Sequence, residues 1–470
     1  MGLLRLFLAL SVIAGHAQAT IFGFNGIGAW YAVNTFFIIS GFYMAMVLNE
    51  KHKTTRPFSF YKSRALRLFP SYLIGVCFAL VVSIKEILPF FEHLTLLSKF
   101  YYVFQNLFVF GQDFSYLLCA KSISLQCASP VDMTINPPAW SLAVELGFYL
   151  IAPFVLRSEK KTFYFIIFGC VYLLSLNGLN LPSDSINPFR TMDLSTLNYF
   201  FYPSSFIFFG GGAMSYHLSK RKNEPRYFAA IVLVTALSFT QTVMPFWHLI
   251  FISMSIPVLF NYTKNNRIDR FIGYLSYPAY ILHFPLIVYI KPLTTTHPKL
   301  FNFIGFGTWV AIISCILGTL VYFTIEKRIN VYRDSNKFLH QNESFTNRRI
   351  RFFYRSGLLG FFLLPVLVVA ALYGSQMQSN RMNEPVAFDL TDENWTNGVS
   401  KSEAAFFVSN NSANRRLYRE GRYIRFVNGE IRAIIKVDES DQFLNIYLDG
   451  SLLDGEIVGF PNIFEVLEGK

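Results

Sequence analysis

The stretch LRLFLALSVIAGHA, residues 4–17, decides the class of fold, because it is an apolar helical run that contains an arginine and a histidine. Ionisable groups inside a membrane span are costly and mark function by default. Arg5 and His16 are about three helical turns and ~16 Å of rise apart, so they face the same side of one helix. We therefore predict a membrane helix with Arg5 at its cytoplasmic end and His16 deep in the bilayer or towards its outer half.

The same segment has a competing interpretation as a secretory signal peptide. A short basic start, an apolar run and Ala17-Gln18-Ala19 together imitate a signal sequence with its cleavage site. On that alternative, His16 is absent from the mature protein. If the helix is retained, the ordinary structural roles are a topology anchor for Arg5 and an interhelical hydrogen bond for His16.

The composition of the whole chain is that of a membrane protein. Of its 470 residues, 53% are hydrophobic and only 15% are charged, against ~25% charged in soluble domains. Segment 87–112 is apolar but interrupted by charges, so we predict that it is interfacial or re-entrant. We predict an all-α polytopic protein of about 11 transmembrane helices, near residues 3–20, 31–49, 68–84, 138–156, 162–178, 199–218, 227–243, 246–262, 271–290, 302–325 and 357–374.

The basic residues orient these spans. With the N-terminus inside, 25 of the 41 Lys and Arg residues lie in cytoplasmic segments, six lie in outside loops and ten lie in the C-terminal tail. This bias follows the positive-inside rule. The net charge of +12 therefore marks topology rather than a nucleic-acid partner.

The chain divides into four predicted segments. Residues 1–330 form a ten-helix membrane domain, 331–356 a basic cytoplasmic linker, and 357–374 the eleventh membrane helix. Residues 375–470 are predicted to form a small extracytoplasmic β-rich domain with the runs RYIRFV, IRAIIKV, FLNIYL and IVGFPNIFEVL. Asn428-Gly429, between the first two runs, is a strong hairpin signal because both residues tolerate positive φ.

The five cysteines separate into two groups. Cys77, Cys170 and Cys315 fall within predicted spans, where we expect small buried thiols. Cys119 and Cys127 share the large outside loop, an oxidising environment on this topology, and are candidates for a disulfide.

Two arginines precede the third span in FYKSRALRLFP, residues 60–70. Arg64 and Arg67 lie three residues apart, on one face of a helix. Two guanidinium groups in this arrangement can bind a phosphate bidentately. The alternative is an ordinary positive flank of a membrane helix.

Three further runs carry polar groups in apolar surroundings: NTFFIISGF (34–42), PPAWSLAVELGFYLIAP (137–153) and LSYPAYILHFPLI (275–287). Ser40-Gly41 offers a small surface for close helix packing. Glu145 lies inside a predicted membrane span, where a carboxylate needs a partner, and we expect that partner to be a histidine. Tyr280 and His283 share one helical face, where a structural hydrogen bond is the alternative to function.

In combination these residues resemble the integral-membrane acyltransferase 3 family. The resemblance covers roughly residues 1–330 and rests on the Arg–His pair of the first span, the FFxxSGF run, the RxxR pair, the WSLxVE run and the YxxH near the end. It implies that His16 is catalytic, that Arg5, Arg64 and Arg67 bind acyl-CoA, and that His16 is not removed by cleavage. Glu145 is a second catalytic candidate, and the substrate-binding candidates are Ser40, Trp140, Tyr280 and His283.

The sequence departs from the family pattern at two positions. Asn34 and Leu146 stand where many members carry acidic residues, which leaves a catalytic carboxylate at those places in doubt. The tail is too short for the esterase domain of larger members, and LDGSLLDG (448–455) is typical of turns.

The resemblance implies a bacterial inner-membrane enzyme with a cytoplasmic N-terminus. It would transfer an acyl group, acetyl above all, from cytoplasmic acyl-CoA to a hydroxyl of an extracytoplasmic or lipid-linked glycan. Acetyl-CoA or another acyl-CoA is then a substrate, and neither a permanently bound cofactor nor a metal is expected. Two other classes stay open: a transporter or flippase of a lipid-linked glycan, and a scaffold acting through the C-terminal domain.

Overall fold

The computed structural model describes residues 1–51, 57–116, 131–177, 194–220, 244–335 and 362–370, and in the tail residues 405–409, 419–420, 423–426, 431–439, 443–448 and 463–467. The chain forms two compact units, Met1–Tyr373 and Gly374–Lys470. The first unit is built of helices and the second contributes β-strands.

The first unit has the following described helices in chain order: α1 Gly2–Ala17, α2 Ala29–Met46, α3 Pro57–Glu92, α4 Leu96–Phe108, α5 Trp140–Val155, α6 Glu159–Asn177, α7 Leu194–Tyr199, α8 Phe206–Ser219, α9 Met244–Thr263, α10 Arg267–Ile290, α11 Leu293–Thr296, α12 Pro298–Ile304, α13 Phe306–Val321 and α14 Lys327–Ser335. Residues 362–370 are also helical.

Helix α1 packs against α2, α10 and α13. A second group forms around α8, which packs against α2, α6 and α9. Helices α2 and α8 approach so closely that a Cβ atom on Gly41 would overlap the backbone carbonyl of Phe209. The predicted packing role of the small pair Ser40-Gly41 is therefore confirmed for Gly41, since only glycine permits this approach.

Several helices are long and apolar enough to cross a bilayer, which needs about 20 residues. In the described part of the chain these are Ala29–Lys51, Pro57–Glu92, Pro137–Val155, Arg267–Ile290 and Phe306–Arg333, with Gly2–Ala17 as a shorter apolar helix. The structure thus has the build of a multi-pass membrane protein.

Helix α3 is longer than the predicted span 68–84, because its apolar character continues past Lys85 and Glu86 to Glu92. The helix kinks at Ser83, whose backbone leaves the helical region. Helix α4 then follows, buries polar Gln105 and Asn106, and exposes apolar side chains such as Phe104. Its 13 residues span only ~20 Å, too short to cross a bilayer. The predicted interfacial segment 87–112 is thus divided between the end of α3 and α4.

Other predicted spans differ at their ends. The span 302–325 is interrupted at Gly305, where φ is +82°, and α13 begins only at Phe306. The span 199–218 begins with a 3-10 turn at Tyr202–Ser205 before α8. Span 227–243 lies outside the described residues, and of span 357–374 only residues 362–370 are described.

The cysteines differ in exposure and in whether the structure describes them. Cys77 is exposed on the surface of the helical unit, so the expectation that it is buried is wrong: it faces outward from α3. Cys170 and Cys315 are half-buried. Cys119 and Cys127 lie outside the described residues.

The second unit contains a five-stranded sheet in the order β1-β4-β3-β2-β5, and every neighbouring pair is antiparallel. The strands are β1 Ala405–Ser409, β2 Tyr423–Phe426, β3 Ile431–Glu439, β4 Phe443–Leu448 and β5 Ile463–Leu467. Strands β2 and β3 pair as a hairpin requires, although Asn428-Gly429 itself lies outside the described residues. The sequence did not reveal β1.

Candidate active site

A cavity of about 430 Å³ opens among α1, α2, α3, α5, α9 and α10. Its volume falls in the ~300–1,000 Å³ range of small-molecule sites. Of the residues proposed from sequence, it brings together Arg5, Ser40, Arg64, Arg67, Glu145 and Tyr280. His16, Trp140 and His283 are not part of its wall.

The cavity wall is strongly cationic. Its basic residues are Arg5, Lys51, Arg64, Arg67, Lys264, Arg270 and Arg333, and its carboxylates are Glu145 and Asp269. The Asp269 carboxylate already accepts hydrogen bonds from the backbone N–H groups of Gly2 and Leu3. The resulting field attracts anions.

The three predicted arginines of this wall have no carboxylate within salt-bridge distance in the described part of the chain: Arg5, Arg64 and Arg67. Arg64 contacts two weak acceptors, the Met44 sulfur at 3.9 Å and the Ser63 hydroxyl at 3.3 Å, and no acceptor for its buried Nε is found among the described residues. These guanidinium groups line the cavity and carry charge that no ion pair among the described residues neutralises, so an anionic ligand fits this end of the cavity.

Among the described residues, the partners of Glu145 are not the histidine that we predicted. Its carboxylate accepts a 2.6 Å hydrogen bond from Ser40 and a 2.5 Å hydrogen bond from Tyr149. Tyr149 lies one helical turn further along α5, and Ser40 faces it from α2. Glu145 is therefore a residue of the cavity wall, held by Ser40 and Tyr149, and it does not form a pair with His16 or His283.

His16 instead bonds to the other histidine of the motif set. Its Nδ1 lies 2.8 Å from Nε2 of His283, and a second contact joins His283 Nδ1 to the backbone carbonyl of Tyr280. His283 is completely buried, whereas His16, near the end of α1, is half-buried. The structure thus joins two histidines 267 positions apart in the chain.

Tyr280 separates the cavity from this histidine pair. Its ring lies 5.6 Å from the ring of His283, centroid to centroid, and its side chain forms part of the cavity wall. Its hydroxyl lies 2.8 Å from the Ser141 hydroxyl and donates to the Pro138 carbonyl at 3.1 Å. These hydrogen bonds connect Tyr280 of α10 to the start of α5.

Helix α10 holds these groups despite two internal prolines, Pro278 and Pro285. Pro285 has no N–H to bond the carbonyl of Ile281, four residues earlier. The Asn136 side chain donates to that carbonyl at 3.0 Å and takes the place of the missing donor. This bond ties α10 to the residues before α5 next to Tyr280 and His283.

Trp140 occupies an aromatic cluster rather than the cavity. Its ring packs edge to face against Tyr199 at 4.8 Å and Phe200 at 4.7 Å, and only 5% of the residue is exposed. The structure therefore gives this candidate a packing role beside the site.

Several cavity residues were missed from the sequence, and three of them are Ser141, Tyr149 and Arg333. Ser141 lies inside the WSLxVE run, and Tyr149 lies four residues after Glu145, so helical spacing could have indicated both. Arg333 lies beyond the predicted domain boundary at 330 because α14 continues the last apolar helix to Ser335. Because Arg333 lies in the predicted linker, nothing in the sequence indicated that it lines the cavity.

Comparison with known proteins identifies the helical part of the chain. A sequence model described as "Acyltransferase domain", Acyl_transf_3, matches residues 1–325. The chain is 24% identical over 459 residues to the protein named "Putative peptidoglycan O-acetyltransferase YrhL" of Bacillus subtilis (strain 168), covering 86% of this chain and 66% of the relative. It is 27% identical over 166 residues to "O-acetyltransferase OatA" of Staphylococcus aureus (strain NCTC 8325 / PS 47), covering 33% of this chain and 24% of the relative.

The chain thus spans about two thirds of YrhL and about a quarter of OatA. No solved structure matches it.

Proposed function

This chain belongs to the acyltransferase 3 family, and on that premise we propose that it is a bacterial membrane O-acetyltransferase that modifies a cell-envelope glycan, with peptidoglycan, the class named for YrhL, as the first candidate. The donor in this proposal is acetyl-CoA or another short acyl-CoA bound from the cytoplasm. The acceptor hydroxyl approaches from the opposite side of the membrane.

The observation that supports the donor best is the group of arginines that lack carboxylate partners among the described residues. Arg5, Arg64 and Arg67 line one cavity, and their positive charge and paired N–H donors are suited to binding the phosphates of coenzyme A. Arginines provide fixed pairs of donors, so they hold a phosphate in one orientation as well as attracting it. Arg333 completes this end of the cavity from α14.

The chemistry of this proposal takes place at His16. The acceptor O–H bond breaks as its proton moves to the imidazole, and the oxygen attacks the thioester carbonyl. The C–S bond then breaks and the thiolate takes the proton from His16. An alternative order, in which His16 first accepts the acyl group, uses the same residue and the same two substrates.

In this proposal the thioester passes Tyr280 on its way to His16. The tyrosine lies between the cavity and the histidine pair, and its hydroxyl contacts Ser141 and Pro138. In this proposal the pantetheine arm extends from the arginines along the cavity and displaces the Tyr280 side chain. The histidine is thereby shielded from the cavity until a donor is bound.

Transfer of label from radioactive acetyl-CoA tests the proposal. Membranes with wild-type protein are compared with His16→Ala and with Arg64→Ala/Arg67→Ala, and Arg328→Ala serves as the control because Arg328 is an exposed arginine outside the cavity. We expect label in envelope glycan from wild type and the control, and none from His16→Ala.

Label that persists in His16→Ala contradicts the mechanism. Movement of a lipid-linked glycan without consumption of acyl-CoA identifies a transporter instead. A scaffold is identified if deletion of residues 385–470 abolishes the cellular function while His16→Ala has no effect.

A further inference from the structure

We infer that His283 is a positioning residue that fixes the tautomer of His16, so that the reacting atom of the site is Nε2 of His16. This inference rests on the proposed function, since it names the atom that performs the proposed proton transfer. It follows from two contacts that lead from α10 to α1 and from the state of the remaining nitrogen of His16.

The first contact defines the protonation of His283. Its Nδ1 lies in hydrogen-bond contact with the backbone carbonyl of Tyr280, one turn earlier on α10. A carbonyl oxygen can only accept, so Nδ1 of His283 carries the hydrogen. In the neutral imidazole, Nε2 of His283 then has a lone pair and acts as an acceptor.

The second contact determines which nitrogen of His16 carries the hydrogen. Nε2 of His283 lies 2.8 Å from Nδ1 of His16, so Nδ1 of His16 donates and carries the hydrogen. The ring planes differ by 1°, and the ring centroids are 5.1 Å apart. Parallel rings stacked face to face cannot bring their nitrogens as close as 2.8 Å, so the two imidazoles lie edge to edge in one plane, where the lone pair of the acceptor points at the donor.

The third observation concerns the remaining nitrogen. With its hydrogen on Nδ1, neutral His16 has an unprotonated Nε2, and no hydrogen bond to that atom occurs within the described residues. Phe284 meets the His16 ring edge to face at 6.0 Å and restricts its rotation. Nε2 is therefore the atom available to take a proton or an acyl group.

The hydrogen bond between the two histidines also stabilises His16 when it is protonated during the reaction. When Nε2 of His16 takes the acceptor proton, the imidazolium keeps its Nδ1–H bond to His283, and this bond strengthens because the donor is now charged. His283 thus does for His16 what a carboxylate does for the histidine of a hydrolase triad. Unlike a carboxylate, it adds no buried negative charge when the site is at rest.

A spectroscopic experiment tests the tautomer without any assay of activity. The full-length protein with ¹⁵N-histidine is reconstituted in bilayers at about pH 8, where an ordinary histidine is neutral. His16→Gln and His283→Gln assign the two rings by difference. We expect both rings to carry hydrogen on Nδ1, with a through-hydrogen-bond correlation between Nδ1 of His16 and Nε2 of His283.

Kinetic variants connect the tautomer to the reaction. His283→Leu removes the acceptor, so we expect kcat to fall by about 100-fold or more with little change in the KM for acyl-CoA. His283→Gln can accept from His16 through its side-chain oxygen but cannot take up a proton, and we expect it to recover part of the loss. His217→Leu is the matched control, because His217 also contacts a backbone carbonyl, that of Leu156, and lies outside the site.

The outcomes separate this inference from the proposed function. A His16 ring with hydrogen on Nε2, or a His283→Leu variant with wild-type kcat, overturns the inference even if transfer depends on His16. Rings with the expected tautomers in a protein that transfers no label support the pair and overturn the function. If His283→Leu fails to fold, the kinetics of His283→Gln and the tautomers measured in the wild-type protein still test the inference.

Discussion

Ser40 on α2 donates a 2.6 Å hydrogen bond to the carboxylate of Glu145 on α5, and these two groups connect the helices at the wall of the cationic cavity. Glu145 also attracts the guanidinium groups of Arg5 and Arg64 across the cavity. The carboxylate therefore lies at the binding end of the site, while the histidines lie on the other side of Tyr280.

The first prediction concerns this carboxylate. Glu145→Gln removes the negative charge that attracts Arg5 and Arg64, so we expect the KM for acyl-CoA to rise by about tenfold, near 1.4 kcal/mol, with a smaller change in kcat. Ser40→Ala removes one hydrogen bond and leaves the charge in place. It is expected to lower stability by about 1 kcal/mol with the KM unchanged. Steady-state kinetics on the purified variants check the KM values, and thermal unfolding checks the stability; a Glu145→Gln variant that loses kcat alone contradicts this role.

A second prediction separates charge from geometry at Arg64. Arg64→Lys keeps the positive charge but loses the paired N–H groups. We expect the affinity for coenzyme A to fall by about tenfold or more. Calorimetric titration with coenzyme A measures this loss, with Arg328→Lys as the control outside the cavity. Equal affinity of Arg64→Lys and wild type would mean that only charge matters there.

The third prediction concerns the separation of the cavity from the histidines. Tyr280→Ala removes the ring that lies between them, so water and thioester can meet at His16 without an acceptor. We expect faster release of free coenzyme A in the absence of glycan, measured with a thiol reagent. Tyr280→Phe keeps the ring and is the matched control, which should stay near wild type in this assay. Equal rates of coenzyme A release from Tyr280→Ala and Tyr280→Phe would show that the Tyr280 ring does not separate the cavity from His16.

A fourth prediction concerns Asp113, in the 3-10 turn Gln112–Tyr116 that follows α4 and lies outside the membrane spans. Burial raises the pKa of Asp113 to about 7 from 3.8, although the backbone N–H groups of Phe114 and Tyr202 favour its carboxylate. A raised pKa means that the folded state holds the proton more tightly than the unfolded chain. This contribution to stability is present below about pH 4 and is lost as pH rises through about 7.

Thermal unfolding of the detergent-purified protein between about pH 5 and pH 8 tests that sign. The melting temperature of wild type is expected to fall across this range. Asp113→Asn has a similar size and no titration, so its melting temperature should change less. Parallel pH dependences of the two proteins would show that Asp113 does not titrate in this range.

Residues close in sequence were predictable where helical spacing determines the result. Arg64 and Arg67 share a helix face because they are three residues apart, and the structure places both on one cavity. Neighbours across helices were not predictable, because periodicity gives the buried face of a helix but not the helix that covers it. The bond of His16 to His283, and that of Glu145 to Ser40, depend on such packing.

Exposure was harder to predict than helix formation. In a membrane protein an apolar residue is as stable against lipid as in the interior, so the hydrophobic pattern does not distinguish the two. Cys77 faces outward for this reason, and α4 directs its polar face inward. The strand β1 was missed because a five-residue apolar run has no periodicity that separates a strand from a helix.

The uncharged state of the two coplanar imidazoles has an electrical consequence. A full elementary charge that crosses the bilayer gains or loses about 2.3 kcal/mol per 100 mV, whereas a proton that moves by one hydrogen-bond length crosses roughly a tenth of the ~30 Å core. The membrane voltage therefore does roughly 0.2 kcal/mol of work on the chemical step. Acyl transfer at His16 should continue at nearly the same rate in a depolarised membrane.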